Sequence, residues 1–250
     1  MTPLRDSTKG YRPSPEQELL LKGALLRGSD AVDAWKEWQT KVATGALDAP
    51  SQRLLALAWH NLKDQGCDPD SPGMKQARRY HRLAWGRNKM LFHELAVVLK
   101  ALSAAGIPAM LLKGAALTAR YYKDLGLRPM GDLDILVPTA LTEEAIRCLG
   151  PLGWKPMPCP GSGFTRAYRS VVPAHSFTSA EDWELDLHWH VFDECCLPDD
   201  DDDLWQGAEG VDVSGVSTAV LSPADQLLQQ RMQVRHETVE SCHAHHHHRP

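Results

Sequence analysis

Residues 108–116 read PAMLLKGAA, and residues 132–137 read DLDILV. The first stretch is a short apolar run that ends at Lys113 and Gly114, so we expect a buried strand that passes directly into a helix over residues 114–122. The second stretch alternates apolar and acidic positions, which predicts another strand, and Pro138 ends it. These two strands and the helix between them place an α+β unit in the second half of the chain.

The chain before these strands has helical periodicity from Ser14 to about Leu102. Turn signals divide it into about four helices, of which the last and longest runs from about Met74 to Ala105 and stops at Gly106. After the DLDILV strand we expect a helix over 141–149 and further strands near 163–168, 175–179 and 183–191. The predicted organisation is a helical N-terminal region (1–105), an α+β core (106–220) and an atypical C-terminal tail (221–250).

Composition limits the classes of function. The chain has 250 residues and a formal net charge of -5, which disfavours a surface built mainly for nucleic acid. The polar N-terminus and the lack of a long apolar run predict a cytoplasmic protein with no membrane partner. Six cysteines without CxxC pairs are typical of reduced thiols rather than zinc ligands.

Asp132 and Asp134 are the first candidate site residues. Side chains at i and i+2 of a strand project from the same face, so both carboxylates point the same way. Two such charges repel each other unless a cation lies between them, and hard oxygen ligands suit Mg²⁺ bridging to phosphates. The alternative is that the pair lies on a solvated strand edge.

The junction at Lys113 and Gly114 lies eighteen residues before this pair. Unpaired N–H groups at a strand-to-helix junction favour anions, and glycine lets a phosphate approach the main chain. The alternative is a tight turn at Gly114 with Lys113 pointing into water. The nearby carboxylates favour a nucleotide phosphate.

A third carboxylate lies on the predicted strand around residues 183–191. Its alternation places Glu184, Asp186, His188 and His190 on one face. Asp186 would complete a metal site of the kind that holds two ions during nucleotidyl transfer. The alternative is an amphipathic strand with one solvent-facing side.

The chain resembles the uncharacterised bacterial nucleotidyltransferases of the DNA-polymerase-β superfamily. The resemblance covers residues 15–228 and is carried by three stretches, namely 107–117 (IPAMLLKGAAL), 127–137 (LRPMGDLDILV) and 185–190 (LDLHWH). It implies a polymerase-β-like mixed sheet with flanking helices, preceded by a helical N-terminal region. The glycine turn of the superfamily falls on Gly114, its carboxylate pair on Asp132 and Asp134, and its third carboxylate on Asp186.

This resemblance also implies an activity: magnesium-dependent transfer of a nucleoside monophosphate from a triphosphate, with ATP favoured, to a hydroxyl of a protein, peptide or small molecule. Asp132, Asp134 and Asp186 would be catalytic and would bind the metal, and Lys113, Gly114, Ala115 and Arg128 would bind the nucleotide. The chain has Ala115 where the superfamily has Gly or Ser, so Lys113 would compensate for a missing hydroxyl. His188 would act on the acceptor side.

Two alternatives remain open from the sequence: an inactive nucleotide-binding regulatory module, and a glycosyltransferase that uses its DxD pair to hold a nucleotide sugar. The glycine turn eighteen residues upstream disfavours the second. Residues 229–250 depart from the pattern of the family and lack apolar periodicity, so we expect them to contribute little to folding. The cluster His243–His248 is interpreted as part of this tail, and the run Asp199–Asp203 as a solvated loop.

Overall fold

A computed structural model describes residues 13–42, 47–158, 164–192, 197 and 200–244. The chain divides into two compact units. The first comprises Met1–Arg87 and Asp124–Pro129, and the second comprises Asn88–Lys123 and Met130–Pro250. Among the described residues, no helix is both long enough and apolar enough to cross a bilayer.

The first unit is helical, as the periodicity predicts. Its helices are α1 (Pro15–Leu25), α2 (Ser29–Val42), α3 (Ala49–Leu62) and the start of α4 (Pro72–Ala104). Ser14 begins α1 with a capping box, because its side chain accepts from the Gln17 N–H while the Gln17 side chain accepts from the Ser14 N–H. Trp35 and Trp38 stack in the core of this unit with ring centroids 5.0 Å apart.

The second unit combines a sheet with helices. The strands of the described chain are β1 (Met110–Leu111), β2 (Asp132–Leu136), β3 (Lys155–Pro156), β4 (Ala174–Thr178), β5 (Glu184–His188), β6 (Glu209–Val213) and β7 (Val216–Val220). The helices are α5 (Lys113–Leu117), α6 (Thr142–Leu149), α7 (Arg166–Arg169), α8 (Asp202–Gln206) and α9 (Pro223–Ala244), and a π-helical turn (Thr118–Tyr122) continues α5.

The strands of the described residues form one mixed sheet in the order β3-β4-β5-β2-β1-β7-β6. β2 lies at its centre, parallel to β5 and antiparallel to β1, while β1 is parallel to β7. The mixed sheet with flanking helices and a helical N-terminal region confirms the predicted fold class. Because β2 is paired on both sides, its backbone is held by two ladders of hydrogen bonds.

Alternation on the two central strands separates apolar from polar side chains. Leu133, Ile135, Leu185 and Leu187 are fully buried on one side of β2 and β5. The register pairs Asp134 with Asp186, and neighbouring strands carry paired residues on the same face. Because the leucine and isoleucine side chains occupy the buried face, the acidic residues lie on the opposite face of the sheet.

The expectation of a solvated loop at Asp199–Asp203 is wrong at Asp201, which is 5% exposed and accepts from the Val191 N–H, and at Asp202, which begins α8.

Two further expectations need correction. The strand predicted near 163–168 is wrong where the chain is described, because residues 166–169 form the short helix α7, while Gly163 lies outside the described residues. Thr165 explains the difference, since its hydroxyl accepts from the Tyr168 N–H at 3.1 Å and begins a helical turn.

The second correction concerns the C-terminal tail. Helix α9 continues past Leu228 to Ala244, and Gln229 is only 3% exposed. The expectation that residues from 229 onward contribute little to folding is therefore wrong at Gln229. Residues 245–250, which include most of the histidine cluster, lie outside the described chain, as do Pro198 and Asp199.

Candidate active site

The sheet brings the predicted carboxylates together. Asp132 and Asp134 lie on β2, and Asp186 lies on β5 directly opposite Asp134 in the parallel register. Asp134 is buried at 2% exposure, whereas Asp132 and Asp186 are half-buried. Three acidic groups from adjacent strands thus share one face of the sheet.

Lys113 supplies the positive charge at this site. Its Nζ lies 2.6 Å from Asp134 Oδ1, and its side chain is 22% exposed. Lys113 is the first residue of α5, directly after Leu112, whose N–H donates to the Asp134 carbonyl at 3.0 Å. The hydrogen bond between Leu112 and Asp134 therefore fixes the start of α5 against the strand that carries the carboxylates.

His188 contacts the same oxygen of Asp134. Its Nε2 lies 3.1 Å from Asp134 Oδ1, and both side chains are buried. Because a carboxylate can only accept, this nitrogen carries the proton in the contact. The other ring nitrogen, Nδ1, is buried with no hydrogen-bond partner in the described part of the chain. His188 therefore orients Asp134 from the neighbouring strand.

Asp186 has a partner that the sequence did not reveal. Ser176 on β4 pairs with Asp186 in the antiparallel register, and its hydroxyl donates to Asp186 Oδ1 at 2.6 Å. The strand near residues 175–179 was expected, but its register against β5 is a long-range property. The sequence alone therefore does not identify Ser176 as a site residue.

The pKa values of Asp132 and Asp134 are shifted in opposite directions. Burial raises the pKa of Asp132 above its ordinary value, and the charges of Asp134 and Asp186 raise it further. Burial would also raise the pKa of Asp134, but the hydrogen bond from His188 and the charge of Lys113 hold it below its ordinary value. Burial opposes the charge of Lys113, yet Asp134 and its acidic neighbours hold the lysine pKa above its ordinary value.

This donor set fits a hard divalent cation. In the described chain, one ligand atom from each of Asp134, Asp186 and His188 lies within 4.8 Å of the others. The carboxylate oxygens are the ligands that magnesium prefers. Burial raises the pKa of Asp132, and the charges of Asp134 and Asp186 raise it further; a bound cation would offset the repulsion from these two charges. His188 already uses Nε2 to bind Asp134, so it fits an orienting role beside the metal ligands.

Gly114, Ala115 and Arg128 are the remaining predicted site residues. Gly114 and Ala115 are buried in the first turn of α5, immediately after Lys113. Arg128 belongs to the segment Asp124–Pro129 of the first unit, so its part in the site stays a prediction. The lysine and the three carboxylates are therefore the groups whose arrangement is established within one unit.

Comparison with protein families places the chain in a known class. A family model described as uncharacterised nucleotidyltransferase matches residues 49–246, so the chain belongs to this nucleotidyltransferase family. The match extends past Leu228, which corrects the expectation that the likeness to the family ends there. None of the curated proteins searched matches the chain. The membership makes the chain an enzyme of the nucleotidyltransferase class and disfavours the glycosyltransferase alternative.

One solved structure with a weak overall likeness is the lincosamide antibiotic adenylyltransferase LnuA with lincomycin bound. It is 18% identical, with a TM-score of 0.38, and the match covers 54% of this chain and 83% of that chain.

Proposed function

We propose that this enzyme transfers a nucleoside monophosphate from a nucleoside triphosphate, with ATP favoured, to a hydroxyl of a protein, peptide or small molecule. The observation that carries the proposal is the parallel register that sets Asp134 opposite Asp186, with Lys113 Nζ 2.6 Å from Asp134. Acidic groups from adjacent strands beside one ammonium group suit the binding of a metal and a polyphosphate.

In this proposal Asp132 and Asp134 would bind two magnesium ions, and Asp186 would position the ion on the acceptor side. When bound, magnesium would neutralise charge on the phosphates and acidify the attacking hydroxyl. Ser176 and His188 keep Asp186 and Asp134 in fixed orientations through their hydrogen bonds. Fixed carboxylates lower the cost of reorganisation during the reaction.

Lys113 has the second role in the proposal. Its ammonium group would neutralise charge that develops on the transferred phosphate and the leaving pyrophosphate. The buried turn at Gly114 and Ala115 would let the phosphates approach the main chain, and Arg128 would add charge on the triphosphate side. The role of His188 as an acid or base toward the acceptor stays a prediction.

Calorimetry with each of ATP, GTP, CTP and UTP tests the metal and nucleotide parts of the proposal. We expect binding in magnesium, binding at least about tenfold weaker in chelator, and a similar loss after Asp132→Asn combined with Asp134→Asn. Glu144→Gln is the control, because Glu144 is exposed on α6 rather than on either strand of the site, and it should leave the affinity unchanged. Equal affinity in magnesium and in chelator would contradict the proposal.

Incubation with each radiolabelled triphosphate, magnesium and a cell extract tests the transfer. The expected result is label on a component of the extract, and the Asp132 and Asp134 variants should give none. A wild-type enzyme that binds nucleotide but labels nothing would instead favour the inactive regulatory module.

A further inference from the structure

Helix α9 brings a buried glutamine against the first residue of α5. The N–H group of Lys113 donates to Gln229 Oε1 at 3.2 Å, although the two residues are 116 positions apart in sequence. Gln229 is 3% exposed, so the acceptor of this hydrogen bond is a buried side chain. The residue that carries the ammonium group of the site thus has its backbone bound by the C-terminal helix.

The backbone conformation of Lys113 requires stabilising contacts. Its φ of 45° lies in the left-handed region, which a residue with a Cβ adopts at a cost in free energy. Strained residues of this kind persist only where the surrounding structure holds them. The contact from Gln229 engages the N–H of the strained residue itself and opposes its relaxation.

A second glutamine fixes the orientation of the first. Gln226, also 3% exposed, donates from Nε2 to the same Gln229 Oε1 at 3.0 Å. Two donors on one oxygen exclude the flipped amide of Gln229. The arrangement leaves Gln226 Oε1 and Gln229 Nε2 buried without a partner among the described residues, which is unfavourable for stability alone. Packing alone therefore does not account for the burial of these two glutamines.

We infer that Gln229 is a positioning residue for Lys113: it holds the left-handed backbone that directs the lysine ammonium group to Asp134. Gln226 orients Gln229, so a line of contacts runs from α9 through Lys113 to the carboxylates. The consequence for nucleotide binding rests on the proposed function. The structural part of the inference, the hold on Lys113, can be tested without any nucleotide.

Amide hydrogen exchange at Lys113, followed by NMR without nucleotide, tests this hold. Gln229→Met keeps the length of the side chain but removes the acceptor, and we expect exchange at least about tenfold faster. Gln229→Glu keeps an acceptor and should stay within about threefold of wild type. The matched control is Gln230→Met, because Gln230 is the next residue of α9 and is half-buried, while the Lys113 N–H donates to Gln229 instead; it should leave the rate unchanged. Unchanged exchange at Lys113 in Gln229→Met would overturn the inference.

A double-mutant cycle on magnesium-dependent nucleotide affinity tests the consequence. Gln229→Met should weaken binding about tenfold in the wild-type background and should add little in a Lys113→Met background, because it acts through the lysine. Equal losses in both backgrounds would overturn the inference. If Gln229→Met does not fold, Gln229→Asn, which is one carbon shorter, replaces it with the same expectations. A wild-type protein that binds no nucleotide contradicts the proposed function, and the exchange rates still decide the role of Gln229.

Discussion

Lys113 Nζ lies 2.6 Å from Asp134 Oδ1, and the lysine that makes this contact has a left-handed backbone. Asp134 is 2% exposed, so its charge is compensated by protein groups rather than by water. The ion pair gives Lys113 two tasks, because it stabilises a buried carboxylate and holds an ammonium group at the proposed phosphate site.

Substitutions at Lys113 can distinguish the contribution of its backbone conformation from that of its ammonium group. Lys113→Gly and Lys113→Ala both remove the ammonium group, so both should weaken nucleotide binding by a similar factor. Glycine adopts a φ of 45° without steric cost, so Lys113→Gly should be more stable than Lys113→Ala by about 0.5 to 1 kcal/mol in urea unfolding.

The control for this pair is a glycine substitution at an ordinary helical position. Ala101→Gly in α4 should lose about 1 kcal/mol, a change of opposite sign. If Lys113→Ala were as stable as Lys113→Gly, the left-handed backbone would carry no strain.

Substitution of Asp186 should reduce the transfer rate, whereas substitution of Asp134 should reduce both the transfer rate and the nucleotide affinity. Asp186→Asn should keep magnesium-dependent nucleotide affinity within about tenfold, or about 1.4 kcal/mol, while the transfer rate falls by orders of magnitude. Asp134→Asn should damage both, because it also removes the partner of Lys113 and His188. Calorimetry and a transfer assay, with slow triphosphate hydrolysis as a substitute readout, measure the two quantities. Transfer by Asp186→Asn at the wild-type rate would make this carboxylate merely structural.

Ser176 should affect the rate more than the affinity. Its hydroxyl orients Asp186, so Ser176→Ala should lower the transfer rate about three- to tenfold and change nucleotide affinity less than about twofold. Thr178→Val is the matched control, because Thr178 lies two positions further along β4 and pairs with Glu184 instead. Equal effects of the two variants would show that Ser176 acts only through the strand.

Asp124 should make the stability of the first unit depend on pH. The carboxylate accepts from the Gly126 N–H at 2.8 Å and lies 3.1 Å from His81 Nε2. Burial would raise the pKa of Asp124, but these hydrogen bonds and the charges of His81 and His60 hold it below its ordinary value. Because the folded pKa is the lower one, the stabilisation is present above about pH 4 and is lost as the pH falls through the folded pKa.

Urea unfolding of Asp124→Asn against wild type measures this contribution. We expect a difference of about 0.5 to 1 kcal/mol at pH 7 that shrinks as the pH falls below about 4. Asp33→Asn is the control, since its contact with Lys36 is 4.0 Å long and well exposed, and it should change stability by less than about 0.3 kcal/mol at either pH. A difference for Asp124→Asn that grew on acidification would contradict the assigned sign.

The sequence was most informative where one residue type at a fixed spacing determines the geometry. Alternation put Asp132 and Asp134 on one face of a strand, and the structure places them so. The apolar positions of the 183–191 stretch likewise oriented Asp186. The helices of the first unit were predicted because apolar residues recur at threes and fours over nearly ninety positions.

The missed features have other physical origins. β3 is two residues long and exposed, and Glu209 shares its side of β6 with Val211 and Val213, so neither strand has a clear pattern. Gln226 and Gln229 are buried amides on a mainly polar helix, and a scan for apolar periodicity treats them as surface residues. Their partner, the Lys113 backbone, is a long-range neighbour that local patterns do not identify.

The 116-residue separation between Lys113 and Gln229 also bears on the order of events during synthesis. On a ribosome, Lys113 and all three carboxylates are translated well before α9, and β1 must wait for its parallel neighbour β7. Until residue 229 leaves the exit tunnel, the Lys113 amide has no acceptor and the left-handed turn has no hold. Nascent chains that stop short of α9 should therefore contain every acidic residue of the site and still lack a correctly placed lysine.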